Sequence, residues 1–390
     1  MIEIKDKINC VGCGACLNIC PNNAIDFITD KAGFNYPSVN KKDCINCNLC
    51  EKVCPINNNA NNNDSPRCKL SWNKDSDIRN QSTSGGVFSA LAENIINNDG
   101  YVCGVEISDD FSIRHGIINE ISKLKQFRRA KYVQSDLHNI FSSIKSYLQK
   151  DIQVLFSGTP CQVSALKNFL RKNYHNLYTV EVICHGVVSQ KVFDAYLKSL
   201  SKMKNDKIES FEFRNKDISW ERYTNKAFFK TGSIYQEERI KDAYMTGYLK
   251  HNLYIRPSCT QCKFKGFPRV ADITLGDFWG VEKIRQYDTS LGVSAVLLNS
   301  IKGEELFSRI SDQLYVEDVS LEEIVINNES LVNSVLLGDY SDYFYSKFEK
   351  KDFQQLISKI DKKALWKNED LTIKDKIFII KNNVLEKFKQ

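Results

Sequence analysis

Eight of the chain's 14 cysteines fall in two short runs, "CVGCGACLNICP" at 10–21 and "CINCNLCEKVCP" at 44–55. Both have the Cys-x2-Cys-x2-Cys-x3-Cys-Pro spacing of bacterial two-cluster ferredoxins. Three closely spaced thiolates wrap one corner of a four-iron cube, and the turn before the proline carries the fourth to the other cluster. The spacing therefore assigns Cys10, Cys13, Cys16 and Cys54 to one [4Fe-4S] centre, and Cys20, Cys44, Cys47 and Cys50 to a second. Gly12 and Gly14 allow the tight turning that the first run needs. The runs stand 34 residues apart, the trace of a pseudo-two-fold module. Zinc sites seldom gather four cysteines this closely, and a disulfide framework leaves both prolines unexplained. The Cys-x3-Cys-x2-Cys order of radical enzymes is absent, so the chemistry expected is electron transfer.

A separate Cys-x2-Cys pair, Cys259 and Cys262, lies far downstream in "RPSCTQCKFKG" at 256–266. The elements before it suggest its partners. Val87, Phe88, Leu91, Ala92, Ile95 and Ile96 form one helical stripe in 83–100, and "YVCGVEI" follows as a strand. Leu137, Ile140, Phe141, Ile144 and Leu148 make a second amphipathic helix. The strand "IQVLFSG", a helix over 161–171, the strand "LYTVEVIC" and a helix over 190–201 come next. This alternation predicts an α/β body with parallel strands and crossover helices. Cys161 then sits just past the carboxyl end of one strand and Cys184 at the carboxyl end of the next, where ligands collect. A third cluster on Cys161, Cys184, Cys259 and Cys262 is one reading. A redox dithiol or half a zinc knuckle for the downstream pair, with buried structural thiols at 161 and 184, is the other. Cys103 lies within an apolar strand and reads as core; Cys68 is left without a partner.

Small-residue turns at 82–86 ("STSGG") and 157–160 ("SGTP") each open a helix, where backbone N–H groups can receive phosphate. The stretch "RRAKYVQSD" at 128–136 adds three basic residues. No G-x-G-x-x-G fingerprint is present, and each turn taken singly is equally an ordinary helix cap. The 54 basic and 48 acidic residues are spread without aromatic interleaving, which argues against nucleic acid. The first apolar positions are interrupted by Glu3, Lys5, Asp6 and Lys7, and no apolar run approaches the ~20 residues of a membrane helix. A cytoplasmic chain with reduced thiols is expected.

The motifs "STSGGVFSALAE", "KYVQSD", "LFSGTPCQ", "ICHGV", "RPSCTQCKFKG" and "ADITLGDFWG", in that order, resemble the beta-subunit family of coenzyme F420 hydrogenases and dehydrogenases. The likeness spans about 70–330, and residues 1–56 resemble the ferredoxin domain often fused ahead of it. The resemblance implies an FAD-containing iron–sulfur oxidoreductase, with Cys161, Cys184, Cys259 and Cys262 holding a third [4Fe-4S] cluster. It also implies FAD near Ser84, Gly85, Gly86, Lys131, Gln134, Ser135, Gly158 and Thr159. His185 and Asp277 are the candidate catalytic residues; a structural hydrogen bond for the first, and orientation of a turn or the flavin for the second, are the alternatives.

The expected organisation is a ferredoxin-like module at 1–56, an Asn-rich linker at 57–67, a flavin and iron–sulfur body at 68–335, and a Lys-rich, mainly helical extension at 336–390. Clusters pass single electrons whereas flavin collects two. The expected function is therefore transfer from ferredoxin or another low-potential donor, through the clusters to FAD, to a small-molecule acceptor, or the reverse. An F420-linked reaction, and a non-catalytic electron-transfer subunit of a larger redox complex, are the alternatives. The sequence leaves the substrate and the homo-oligomeric state open.

Overall fold

The computed structural model describes residues 1–58 and 65–367. Most of the Asn-rich stretch and the last part of the Lys-rich extension, residues 59–64 and 368–390, lie outside the described residues.

The amino-terminal module shows its internal repeat in the backbone. The helix Ala15–Ile19 starts after Gly14 (φ +70°), and the helix Leu49–Lys52 starts after Asn48 (φ +56°). Left-handed residues at equivalent places turn the chain so that the second and third cysteines of each run can face one centre. An antiparallel hairpin, β1 (Ile25–Thr29) and β2 (Asn35–Val39), joins the two halves.

The body is built on one eight-stranded mixed sheet and one three-stranded sheet. In chain order its strands are β3 (Arg67–Asn73), β4 (Tyr101–Ile107), β5 (Ile113–Ile118), β6 (Val154–Gly158) and β7 (Leu177–Val182). They continue with β8 (Ile208–Asn215), β9 (Thr224–Phe229), β10 (Ile234–Glu238), β11 (Ile273–Asp277), β12 (Ser294–Leu298) and β13 (Leu314–Asp318). The large sheet has the order β13-β3-β12-β11-β7-β6-β4-β5. β4, β6, β7 and β11 are parallel neighbours; β12 runs against both β11 and β3, so β3 points the same way as β11. The carboxyl ends of β3, β4, β6, β7 and β11 thus share one edge.

Helices cover both faces. Leu155 of β6 joins Leu91 and Ile95 of the helix Val87–Asn97 in one core, while Val154 and Phe156 pack with Phe141, Ile144 and Leu166 of the helices Ile140–Gln149 and Pro160–Leu170 in another. This is the period-two alternation of a strand buried on both sides. Leu137 precedes its expected helix, because His138 takes φ +36°, yet Leu137 still packs in that second core. The antiparallel sheet β10-β9-β8 closes over the helix Gln190–Lys204 with a largely aromatic core of Phe193, Tyr196, Phe211 and Tyr244. Phe344 and Phe353, from the helices Ser341–Lys347 and Phe353–Lys367, enter the same core. The described part of the Lys-rich extension therefore packs on the body. Among the described residues, no helix is long and apolar enough to cross a membrane.

Candidate electron-transfer site

Three neighbouring elements at the shared edge bring cysteines together. Cys161 enters on the first turn of the helix Pro160–Leu170, directly after β6, with Pro160 preset for a helix start. Cys184 lies two residues past β7. Cys259 and Cys262 come from the 3-10 turn Pro257–Gln261 and the residue after it. All four line one cavity of about 600 Å³, its open mouth included, together with Val11, Thr159, His185 and Arg256.

The eight amino-terminal cysteines sort into two further cavities. Cys20, Cys44, Cys47 and Cys50 line one of about 370 Å³, and Cys10, Cys13, Cys16 and Cys54 line one of about 340 Å³. The exchange of the fourth cysteine between the two runs appears here as geometry. Backbone N–H groups point at sulfur in the first of these cavities: Ile2 to Cys50 Sγ at 3.3 Å and Ala24 to Cys20 Sγ at 3.2 Å. Val11 lines both the Cys10 cavity and the body cavity, so the two share a wall. The Cys44 cavity is the outer one, where Cys47 is exposed and Ile45 is 61% accessible.

The donor sets fit clusters rather than single ions. Among the described residues, no three His, Cys, Asp or Glu side chains form a group that could hold one metal ion. The thiols instead stand around a space, as they must when each binds a different corner of a four-iron cube. Burial pushes the Cys161, Cys184 and Cys259 thiols up to about 12, although Arg256 pulls Cys161 and Cys259, and Lys265 pulls Cys184, in the other direction. Arg256, Lys265 and Arg269 also line the body cavity, a basic setting suited to a cluster on four thiolates.

The eight residues expected near flavin are distributed along this edge, and most of their polar groups have partners within the chain. Ser84 Oγ donates to the Val293 carbonyl, and the Gly85 N–H donates to Ser294 Oγ. A Cβ on Gly85 would lie 2.4 Å from the Ser71 carbonyl oxygen, so this glycine serves close packing. Gly86, at φ +86°, precedes the helix Val87–Asn97. Lys131 Nζ donates to the carbonyls of Gln126 and Arg128, and burial lowers its pKa to about 7. Ser135 Oγ accepts from Gln162 Nε2, and Gln162 Oε1 accepts from the Thr159 N–H directly after Gly158. Thr159 and Gln134 line the body cavity, and Gln134 Nε2 donates to the Val11 carbonyl of the amino-terminal module.

Unpartnered buried donors stand elsewhere, beside the 82–86 turn. Arg214 Nε and Asn73 Nδ2 lack hydrogen-bond partners, while Arg214 Nη2 reaches the Thr83 carbonyl and Asn73 N–H donates to the Gly85 carbonyl. Lys216 Nζ donates to the carbonyls of Arg79, Ser84 and Leu291, and burial lowers its pKa to about 6. The donors left open to a phosphate-bearing group near the turn are therefore Arg214 Nε and Asn73 Nδ2, while the Lys216 ammonium and the N–H groups of Gly85 and Thr159 are already used within the chain.

His185 shares the body cavity, and its Nε2 lies 2.9 Å from Asn252 Oδ1. Asp277, at the end of β11, accepts from Trp220 Nε1 at 2.7 Å and Arg214 Nη2 at 2.9 Å. The two candidate catalytic residues therefore occupy different places on the edge. Cys103 is fully buried in β4, and Cys68 is buried in β3. Sequence reasoning gave no role to Arg256, Arg214 or Trp220. Only the position of Arg256, three residues ahead of Cys259, carried a signal.

The fold and site define an iron–sulfur protein of oxidoreductase-type electron transfer. Residues 151–324 match the family model for the C terminus of the coenzyme F420 hydrogenase/dehydrogenase beta subunit, and residues 9–58 match the 4Fe-4S dicluster domain. Residues 151–324 are thus similar to the C-terminal part of that beta subunit, and the dicluster domain lies ahead of them in the chain. Among solved structures, a chain of the F420-reducing [NiFe] hydrogenase complex from Methanosarcina barkeri, studied by xenon derivatization, aligns at 15% identity with a TM-score of 0.46. The alignment covers 82% of this chain and 97% of that one. No curated protein matches the chain.

Proposed function

We propose that this chain is an iron–sulfur flavoprotein oxidoreductase. Electrons from ferredoxin or another low-potential donor enter at the exposed Cys47 side and pass inward past Val11 to the body quartet. They then reach FAD and a small-molecule acceptor; the reverse direction uses the same path. Cys20, Cys44, Cys47 and Cys50 would hold the outer [4Fe-4S] cluster, Cys10, Cys13, Cys16 and Cys54 the inner one, and Cys161, Cys184, Cys259 and Cys262 the third. Bound clusters supply one-electron transfer, and FAD converts it to two-electron chemistry. The observation that carries this reading is the set of three four-cysteine cavities, with the Cys10 cavity and the body cavity sharing the Val11 wall. FAD is supported by the match of residues 151–324 to the beta-subunit model and by the unpartnered Arg214 Nε and Asn73 Nδ2 beside the 82–86 turn.

The residues divide the work. Arg256, Lys265 and Arg269 give the body cavity a positive lining. Arg214 and Asp277 fix each other at the end of β11, so Asp277 is an orienting group on this reading. His185, held by Asn252 beside the body quartet, is the proton-donor candidate nearest the cysteines.

The test is cofactor content after anaerobic reconstitution. Four irons for each of three quartets give about 12 irons per chain, and acid extraction should release FAD. Zinc in the body with about eight irons elsewhere would contradict the relay, and a metallated chain that neither keeps nor rebinds flavin would contradict the two-electron step.

A further inference from the structure

Arg256 is 1% accessible, yet among the described residues it meets no carboxylate; its partners are neutral groups and a cysteine sulfur. Nε donates to the Cys10 carbonyl at 2.8 Å, and Nη2 donates to the Asn35 carbonyl at 2.9 Å. Nη2 also lies 3.7 Å from Cys10 Sγ, and Nη1 donates to Gln134 Oε1 at 2.9 Å. The guanidinium stands over the rings of Tyr36 and Phe34, 4.6 and 5.2 Å from their centroids. A buried cation without a counter-charge is costly, and aromatic faces offset only part of that cost. The geometry calls for negative charge close by, on both sides of the Val11 wall.

We propose that Arg256 is the positioning residue of the electron path: it clamps the Cys10–Gly12 loop onto the body and raises the reduction potential of the centre that Cys10 ligates. This rests on the cluster assignments proposed above. The fork of the guanidinium ties Cys10 and Asn35, both in the amino-terminal module, to a turn that carries Cys259 three residues later. Gln134 completes the tie by donating to the Val11 carbonyl while accepting from Arg256. Gly12 (φ +66°) is required here for space as well as conformation, since a Cβ would stand 2.7 Å from Arg256 Nη1. A positive charge and an N–H directed at a ligand sulfur favour the reduced, more negative cluster, which is the direction of a raised potential. In the transfer itself one electron leaves the Cys10 side and arrives on the Cys259 side. No bond changes and no proton moves, and a reduced ferredoxin supplies the electron.

The experiment uses the full, reconstituted chain and the variants Arg256→Lys and Gln134→Leu. Lysine keeps the charge but loses the planar fork; the Gln134 variant leaves Arg256 in place and removes one tie. Redox titration followed by electron paramagnetic resonance should show one amino-terminal centre moving to lower potential in Arg256→Lys while the other stays fixed. Amide hydrogen exchange at residues 10–12 and 35 should accelerate in both variants. Reduction of the body centre by reduced ferredoxin should slow by about tenfold or more in Arg256→Lys, with the outer centre still reduced at the original rate. Fully loaded variants with unchanged potentials and unchanged exchange would overturn the role of Arg256 alone. A wild-type chain without a cluster in the body quartet would overturn the cluster assignment and this inference together.

Discussion

Arg214 and Asp277 form an ion pair at 2.9 Å, with side-chain accessibilities of 3% and 14%, at the end of β11. The carboxylate also accepts from Trp220 Nε1, and Trp220 stacks on Trp279 at 4.7 Å between ring centroids. The pair therefore anchors the strand end to the packed aromatic layer beside it.

Removing the carboxylate leaves the Arg214 charge buried and unpaired. Asp277→Ala should destabilise the body by about 3 kcal/mol or more, and Asp277→Asn by less because the amide oxygen still accepts. Denaturant midpoints measure this. Full stability in Asp277→Ala, with lost turnover, would return Asp277 to a directly catalytic role.

Cys259→Ser should remove one spectroscopic cluster, about four of about 12 irons, and spare the two amino-terminal signals. Iron analysis with electron paramagnetic resonance reads both quantities. An unchanged third signal would exclude Cys259 as its ligand.

His115 supplies a pH dependence separate from the cysteines. Burial lowers its pKa from 6.5 to about 4; the hydrogen bond to the Ser157 carbonyl and the charge of Asp136 oppose this only in part. The unfolded chain binds the extra proton first, so stability is complete above about pH 6.5 and falls as pH drops toward 4, by about 3 kcal/mol at most. His115→Gln should flatten the dependence of the denaturant midpoint between pH 4 and 7. An identical slope in variant and parent would show that His115 does not bind its proton differently on folding.

The amino-terminal module was legible because its ligands are local: Cys10 to Cys20 and Cys44 to Cys54 carry their spacing in the chain itself. The parallel strands β4, β6 and β7 were legible from apolar runs alternating with amphipathic helices. β12 was not, because a short apolar run such as "SAVLL" does not reveal strand direction, and only pairing with β3 and β11 sets it. Gln134, expected near flavin, also donates to the Val11 carbonyl, a contact 123 residues away in sequence that its motif did not announce. The roles of Arg256 and Arg214 depend on such long-range partners, which no local pattern encodes. At the 82–86 turn, the N–H of Gly85 goes to Ser294, so a motif that looked ready for phosphate is partly closed by a strand more than two hundred residues on.

The most direct measurement of the central claim is anaerobic stopped-flow mixing of the reconstituted chain with reduced ferredoxin, following cluster and flavin absorbance together. The parent protein should bleach its amino-terminal clusters first and its flavin afterwards. Cys13→Ser, which removes a ligand of the inner quartet, should leave the first phase of the outer cluster and slow flavin reduction by more than about tenfold. Flavin reduction at the same rate in both proteins would contradict a path running through the amino-terminal cysteines.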